Sequence, residues 1–285
     1  MNIGVVCKPN LSNLNEIKKV IDKYFSDKNC KFIFDNNYSI AKDELILPLK
    51  ELVKLSDLIL AFGGDGTLLH IAEEVALNNK PVIGFNLGNL GFLTEAPLSD
   101  FNVILDNFFK DNLRSDKRNL MTASLMVENK NEIKRNFLND IVINKGALSK
   151  IINLDLHIDD KLVSQIRADG IIISSPTGST AYSLSAGGPI VVPNLPLMVI
   201  TPICPHTLSN RPLVISDNCE VTVTLESNNP VYATFDGSNS EELAGKFEVR
   251  IIKSDLDFNL LRMKNNAYFS VLKNKLMWSN TYESK

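Results

Sequence analysis

The chain has 285 residues, of which 44% are apolar and 22% charged, and its formal net charge is -3. That length allows one large domain or two ordinary ones, each with a real core. The mildly acidic balance argues against a surface built for nucleic acid, though it permits a locally basic pocket. Cys7, Cys30, Cys204 and Cys219 lie far apart with no C-x-x-C pair, which argues against zinc or redox pairing and for buried free thiols. No basic leader precedes the apolar start, and no apolar run reaches the roughly 18 residues of a membrane span, so a cytoplasmic protein is expected.

Residues 3–7 form a short apolar strand. Residues 15–25 follow with Ile17, Val20, Ile21 and Tyr24 at helical spacing. Residues 31–34 are a second strand, and 50–55 a weaker helix or connector. The apolar run 58–62 ends in Gly63-Gly64-Asp65-Gly66-Thr67, a helix over 67–77 follows, and 81–85 is another strand. Apolar strands alternating with helices predict a Rossmann-like α/β domain over 1–100, with a mostly parallel sheet covered on both faces. Ligands of such sheets bind at the carboxyl ends of strands, where 63–67 and 86–91 emerge. After a connecting helix over 101–109 the period changes. Strands are expected at 121–128, 137–144, 151–158, 161–167, 170–174, 221–225, 232–235 and 247–253, with Asp159-Asp160 as a hairpin turn. This is a β-rich domain over 101–254. A closing helix over 268–278 carries Phe269, Leu272, Leu276 and Met277.

The loop 63–67 is the most informative segment. Its glycines let backbone approach a ligand, and the helix start presents N–H groups that suit phosphate. Asp65 repels a bare phosphate. It makes sense as a metal ligand on bridging phosphates or as a base for an attacking hydroxyl. A purely structural alternative is a tight turn with Asp65 exposed or capping the helix. Neither a Walker A loop nor a G-x-G-x-x-G fingerprint is present. The second loop, 86–94, places Phe92 either in the core or beside an aromatic ring of a ligand. A third stretch runs from Arg167 and Asp169 through the small hydroxyl residues Ser175, Thr177, Ser179 and Thr180 to Tyr182 and Gly187-Gly188-Pro189. Its hydroxyls suit a helix cap or a ligand. His70 and His157 are expected to be packing, structural or solvated residues, and no Ser/His/Asp triad is visible.

Taken in order, these segments resemble the NAD kinase family, bacterial type. The resemblance is carried by Gly63-Gly64-Asp65-Gly66-Thr67, Gly91-Phe92-Leu93, Asn139-Asp140, Thr180-Ala181-Tyr182 with Gly187-Gly188-Pro189, Pro205-His206, Ser209-Asn210-Arg211-Pro212, Asp236-Gly237 and Lys275-Leu276-Met277-Trp278. It spans nearly the whole chain. Two positions depart from the family pattern: Asp140 stands where many members have Glu, and Ser238 where Gln is common.

The resemblance implies an α/β domain, a β-rich domain that binds NAD and oligomerises, and a segment 255–285 that returns to the first domain. The implied reaction is Mg2+-dependent transfer of the terminal phosphoryl of ATP to the adenosine 2'-hydroxyl of NAD+, giving NADP+ and ADP. Asp65 is then the base, and Gly63, Gly64, Gly66 and Thr67 form the phosphate loop. NAD+ is contacted by Gly64, Asp65, Gly66, Phe92, Asn139, Asp140, Arg167, Asp169, Thr180, Ala181, Tyr182 and Ser185. Arg167 and Arg211 are also candidates for phosphate or intersubunit contacts. Mg2+ is expected mainly on the ATP phosphates, with Asp65 as a candidate ligand. The partners implied are NAD+, ATP and further copies of the chain in a homodimer or homotetramer, with neither nucleic acid nor membrane. Two other readings stay open on the residues: a lipid kinase of the diacylglycerol type, sharing the aspartate loop, and a non-catalytic NAD-binding module.

Overall fold

The structure is a computed structural model that describes residues 1–37, 44–88, 91–94, 96–128, 131–146, 149–207, 209–264 and 268–278. Asn89 and Leu90 of the second glycine loop lie outside the described residues. The chain divides into two compact units, one made of 1–117 with 258–285 and the other of 118–257.

In chain order the first unit carries β1 (Asn2–Cys7), α1 (Leu14–Phe25), β2 (Lys31–Phe34), β3 (Leu45–Ile46), α2 (Leu49–Leu55), β4 (Leu58–Gly63), α3 (Asp65–Leu77), β5 (Pro81–Asn86), β6 (Ala96–Pro97) and α4 (Phe101–Phe109). β1 pairs in parallel with β2 on one side and β4 on the other, and β4 pairs in parallel with β5. These strands are buried along nearly their whole length, as a sheet covered on both faces requires. On one face Ile17, Ile21 and Phe25 of α1 join Phe101, Ile104 and Leu105 of α4 over Val5, Leu60, Phe62 and Phe85. On the other, Leu52 of α2 sits so close to Gly4, and Leu68 of α3 so close to Gly84, that a Cβ at either glycine would collide.

The first unit's sheet has its topological switch at β1, whose two neighbours come next in opposite directions. A crevice is expected there, outside the carboxyl ends of β1 and β4. Those ends are Cys7-Lys8-Pro9 and Gly63-Gly64.

The second unit follows from β7 (Leu113–Val127) through β8 (Ile133–Phe137), β9 (Asp140–Lys145), β10 (Ile152–Ile158), β11 (Lys161–Ala168), β12 (Gly170–Ser174), α5 (Tyr182–Ser185), β13 (Leu197–Ile203), β14 (Leu213–Ser216) and β15 (Val221–Phe235) to β16 (Asn239–Met263). The chain then ends in the first unit with α6 (Tyr268–Lys275). Within the second unit the pairing is antiparallel: β12 lies between β9 and β13, β13 pairs with β14, and β15 pairs with β9, β10 and β16. Alternation sets the core. Ile141 and Ile143 of β9, Ile171 and Ile173 of β12, and Val249 and Ile251 of β16 share one cluster with Phe137 and Phe235. Val142, Ile172 and Ile203 form a small cluster of their own. The last residues of β16 belong to the first unit, where Asn259 and Leu260 pair in parallel with Pro81 and Val82 of β5.

Several local expectations change. Residues 137–144 are two strands, not one, broken at Leu138-Asn139. β13 and β14 were not anticipated, and β7 starts eight residues before 121. Only Cys7 among the thiols is buried, while Cys204 is exposed. In the closing segment Val271 and Leu272 are buried, whereas Phe269 and Met277 face solvent.

Candidate functional site

The first unit brings Gly63, Gly64, Asp65, Gly66, Thr67 and Phe92 together. β4 ends at Gly63, and a Cβ there would collide with the Thr67 hydroxyl, so the strand can turn into α3 only over a glycine. Gly64 is the N-cap of α3 and no side chain caps that terminus. A Cβ on Gly64 or Gly66 would meet nothing within 4 Å, so both face open space. That space is a cavity of about 380 Å3 lined by Cys7, Lys8, Pro9, Gly64, Gly66, Thr67 and His70. It sits at the switch point that the sheet order defines.

Helical spacing explains His70. His70 is four residues from Gly66 and three from Thr67, so it lies on the face of α3 that those residues present. His70 is exposed, as a solvated residue is, and lines the cavity. Lys8 is exposed just past the carboxyl end of β1 and supplies a cationic side chain. Burial, and then the charge of Asp35, push the Cys7 thiol up to about 12, so it lines the cavity as an inert apolar group.

The Asp65 carboxylate is held by three consecutive backbone amides. Phe92 N–H donates to Oδ2 at 2.8 Å, while Leu93 and Thr94 N–H donate to Oδ1 at 3.0 and 3.3 Å. A Cβ on Gly91 would collide with this carboxylate, so the loop can wrap it only with glycine there. The Thr94 hydroxyl closes the turn by accepting Gly91 N–H at 3.0 Å. Three of the four lone-pair sites of the carboxylate are thus engaged, and Oδ2 keeps room for one further donor.

The second unit repeats the device. Leu138 N–H donates to Asp236 Oδ2 at 2.9 Å, and Asn139 and Asp140 N–H donate to Oδ1 at 2.7 and 3.3 Å. This interaction breaks the strand between β8 and β9. It turns Asn139 and Asp140 toward the segment after β12: Ser175 Oγ donates to Leu138 O at 2.5 Å, Ser175 N–H donates to Asn139 O at 2.9 Å, and a Cβ on Gly178 would strike the Asn139 carbonyl. Asp140 is 3% exposed. Burial, and then the charge of Asp236, push its carboxyl up to about 7, and the backbone amide of Tyr182 pulls the other way.

Asn139, Asp140, Thr180, Ala181 and Tyr182 therefore share one region of the second unit. Tyr182 and Ser185 are exposed on α5, beyond the buried Ser179 and Ser183 that anchor the turn to Val191 and Thr201. Asp169 lies between β11 and β12 with its carboxylate 3.3 Å from Lys145 Nζ. Arg167 is exposed on β11, and its carbonyl accepts His206 N–H at 2.9 Å. Arg211 is exposed ahead of β14, with Nη1 on Asn210 O at 3.1 Å. Neither arginine is tied to the Asn139–Tyr182 region by these contacts. The clamp role of Asp236 was not anticipated, although Asp236-Gly237 stood out in the sequence. Among the described residues no group of three or more His, Cys, Asp or Glu is placed to hold a metal ion, and no helix is long and apolar enough to cross a membrane.

Residues 3–113 match a family model described as the ATP-NAD kinase N-terminal domain, and residues 138–263 one described as the ATP-NAD kinase C-terminal domain. The chain is 34% identical to an NAD kinase of Koribacter versatilis over 97% of this chain and 98% of that protein. It is 43% identical to an NAD kinase of Geotalea daltonii over 78% of this chain and 79% of that one. Among solved structures it resembles yeast NADH kinase complexed with NADH, with a TM-score of 0.91 at 25% identity, covering 100% of this chain and 90% of that one. It also resembles an NAD kinase from Archaeoglobus fulgidus in complex with ATP, with a TM-score of 0.77 at 28% identity over 97% and 99% of the two chains.

Proposed function

The chain belongs to the NAD kinase family and catalyses ATP-dependent phosphorylation of NAD+ to NADP+; we propose that Asp65 is the general base of that reaction, acting on the adenosine 2'-hydroxyl. The observation that carries this assignment is the clamped carboxylate beside the cavity, with its remaining lone pair on Oδ2. A sugar hydroxyl is a poor nucleophile near neutral pH, and a fixed carboxylate that takes its proton as the new bond forms is worth roughly 100-fold or more. Gly63, Gly64, Gly66 and Thr67 shape the phosphate loop. Open space at Gly64 and Gly66 lets phosphate oxygens reach the backbone at the start of α3. Lys8 and His70 line the same cavity and supply a cationic and an imidazole partner for the transferred group.

Magnesium, when bound, screens the phosphate charge. The ion is assigned mainly to the phosphates of ATP, as Mg2+ commonly is, with Asp65 as the side chain of the loop that would reach it.

NAD+ is recognised in this proposal by Phe92, Asn139, Asp140, Asp169, Thr180, Ala181, Tyr182 and Ser185. With its carboxyl at about 7, Asp140 is available near neutral pH both as an O–H donor and as an acceptor. Arg167 remains assigned to NAD+, with phosphate or intersubunit contact as its alternative and that of Arg211. The protein works as a cytoplasmic homo-oligomer, a dimer or a tetramer, whose NAD+ sites are completed by neighbouring copies. The test is a coupled assay with ATP and Mg2+. NADP+ formed from NAD+, and no phosphorylated lipid from diacylglycerol, is the expected result; the reverse would move the protein to the lipid kinases.

A further inference from the structure

We infer that Arg262, backed by Asp116, is a positioning residue that acts through the loop holding Asp65; the inference rests on the reading of Asp65 as base. Arg262 stands near the end of β16 and is 4% exposed. Its Nη2 donates to the carbonyl of Phe92 at 2.7 Å and to that of Leu93 at 3.1 Å. Its Nε lies 2.8 Å from Asp116 Oδ2. Phe92 and Leu93 are also two of the three residues whose amides hold Asp65. Both residues therefore have their N–H on a carboxylate and their C=O on a guanidinium. Charge-assisted bonds at both ends fix the loop in rotation as well as in place, and each polarises the other.

A stability argument alone does not account for this pair. Burying an ion pair costs about as much as it returns, and apolar side chains of similar volume often serve a fold as well or better. What an apolar residue cannot do is hold two successive carbonyls so that the N–H groups beyond them point at one carboxylate. Arg262 meets that need with one guanidinium nitrogen, Nη2, on both carbonyls, while the Asp116 carboxylate beside Nε holds the planar group in place. No sequence motif marks the position, which lies in the run Phe258-Asn259-Leu260-Leu261-Arg262-Met263.

The test begins with Arg262→Lys, which keeps the charge and loses the fork. Turnover should fall roughly tenfold, with KM for NAD+ within about twofold, because the loop's effect is on orientation of the base. In an Asp65→Asn background the same change should cost nothing further, since the group it positions is gone. Amide exchange over 91–94 should speed up in Arg262→Lys whether or not Asp65 is intact. An equal tenfold loss in the Asp65→Asn background, a defect confined to KM, or unchanged exchange over 91–94 would overturn the inference. Near-normal turnover in Asp65→Asn alone, with exchange still accelerated in Arg262→Lys, would instead overturn the base assignment and leave the anchoring intact. Should the lysine variant fail to fold, Arg262→Met combined with Asp116→Leu removes both charges together, and the same outcomes apply to it.

Discussion

Asp65 and Asp236 are held in the same way in different surroundings. Each carboxylate takes three consecutive amides, one on Oδ2 and two on Oδ1, from 92–94 in the first unit and from 138–140 in the second. Asp65 opens a helix beside a cavity with Lys8 and His70 on its lining. Asp236 follows a long strand in left-handed backbone, φ 48°, and its charge acts on the buried carboxyl of Asp140. The same hydrogen-bond pattern thus fixes an acid between two glycines that line a cavity in one unit. In the other it bends a strand and raises the pKa of a neighbour. Geometry at a carboxylate does not assign its role; what lies beyond its remaining lone pair does.

The largest expected effect is on Asp65. Asp65→Asn keeps the size and removes the base, so turnover should fall at least roughly 100-fold while NAD+ affinity by calorimetry changes little. Near-normal turnover would end the catalytic half of the contrast. Gly91→Ala comes next. Its Cβ would strike the Asp65 carboxylate and displace it, so turnover is expected to drop roughly tenfold with substrate KM values nearly constant. An unaffected enzyme would show that the loop gives way without moving the base.

The smallest effect sharpens the other half. Asp140 has its carboxyl raised from 3.8 to about 7, so ionising it costs folding free energy. The wild-type protein loses that stability as pH rises from near the ordinary carboxylate value through about 7, and asparagine at 140 does not titrate. Asp140→Asn should therefore gain thermal stability over wild type between about pH 4 and about pH 7, by at most about 4 kcal/mol or about ten degrees, and level off above. A difference in melting temperature that is flat across that range would place Asp140 in an ordinary environment.

Much of this architecture was legible in the sequence. The run 58–62, the glycines after it and the periodic helix beyond gave β4, the loop and α3, because strand, turn and helix each carry strong local chemistry there. Asp159-Asp160 was legible as a hairpin, and both residues adopt the positive φ, 48° and 63°, that such a turn demands. β13 was hidden by Pro193, Pro196, Pro202 and Pro205 around it, although it lies between β12 and β14 in the sheet. The start of β7 was hidden by the charged residues 114–118. The break at 138–139 was invisible because its cause, Asp236, is almost a hundred residues away. Arg262 was invisible for the same reason: its partners at 92, 93 and 116 are long-range contacts that no local period encodes.

The most direct test of two like-held carboxylates with separate tasks is to compare Asp236→Asn with Asp65→Asn by steady-state kinetics and NAD+ calorimetry under one set of conditions. Asp236→Asn should weaken NAD+ binding by roughly tenfold with turnover at saturating NAD+ nearly kept, because Asn139 and Asp140 lose their placement while the base is untouched. Asp65→Asn should show the opposite split. Two variants with the same profile, both losing turnover alone or both losing affinity alone, would contradict the account.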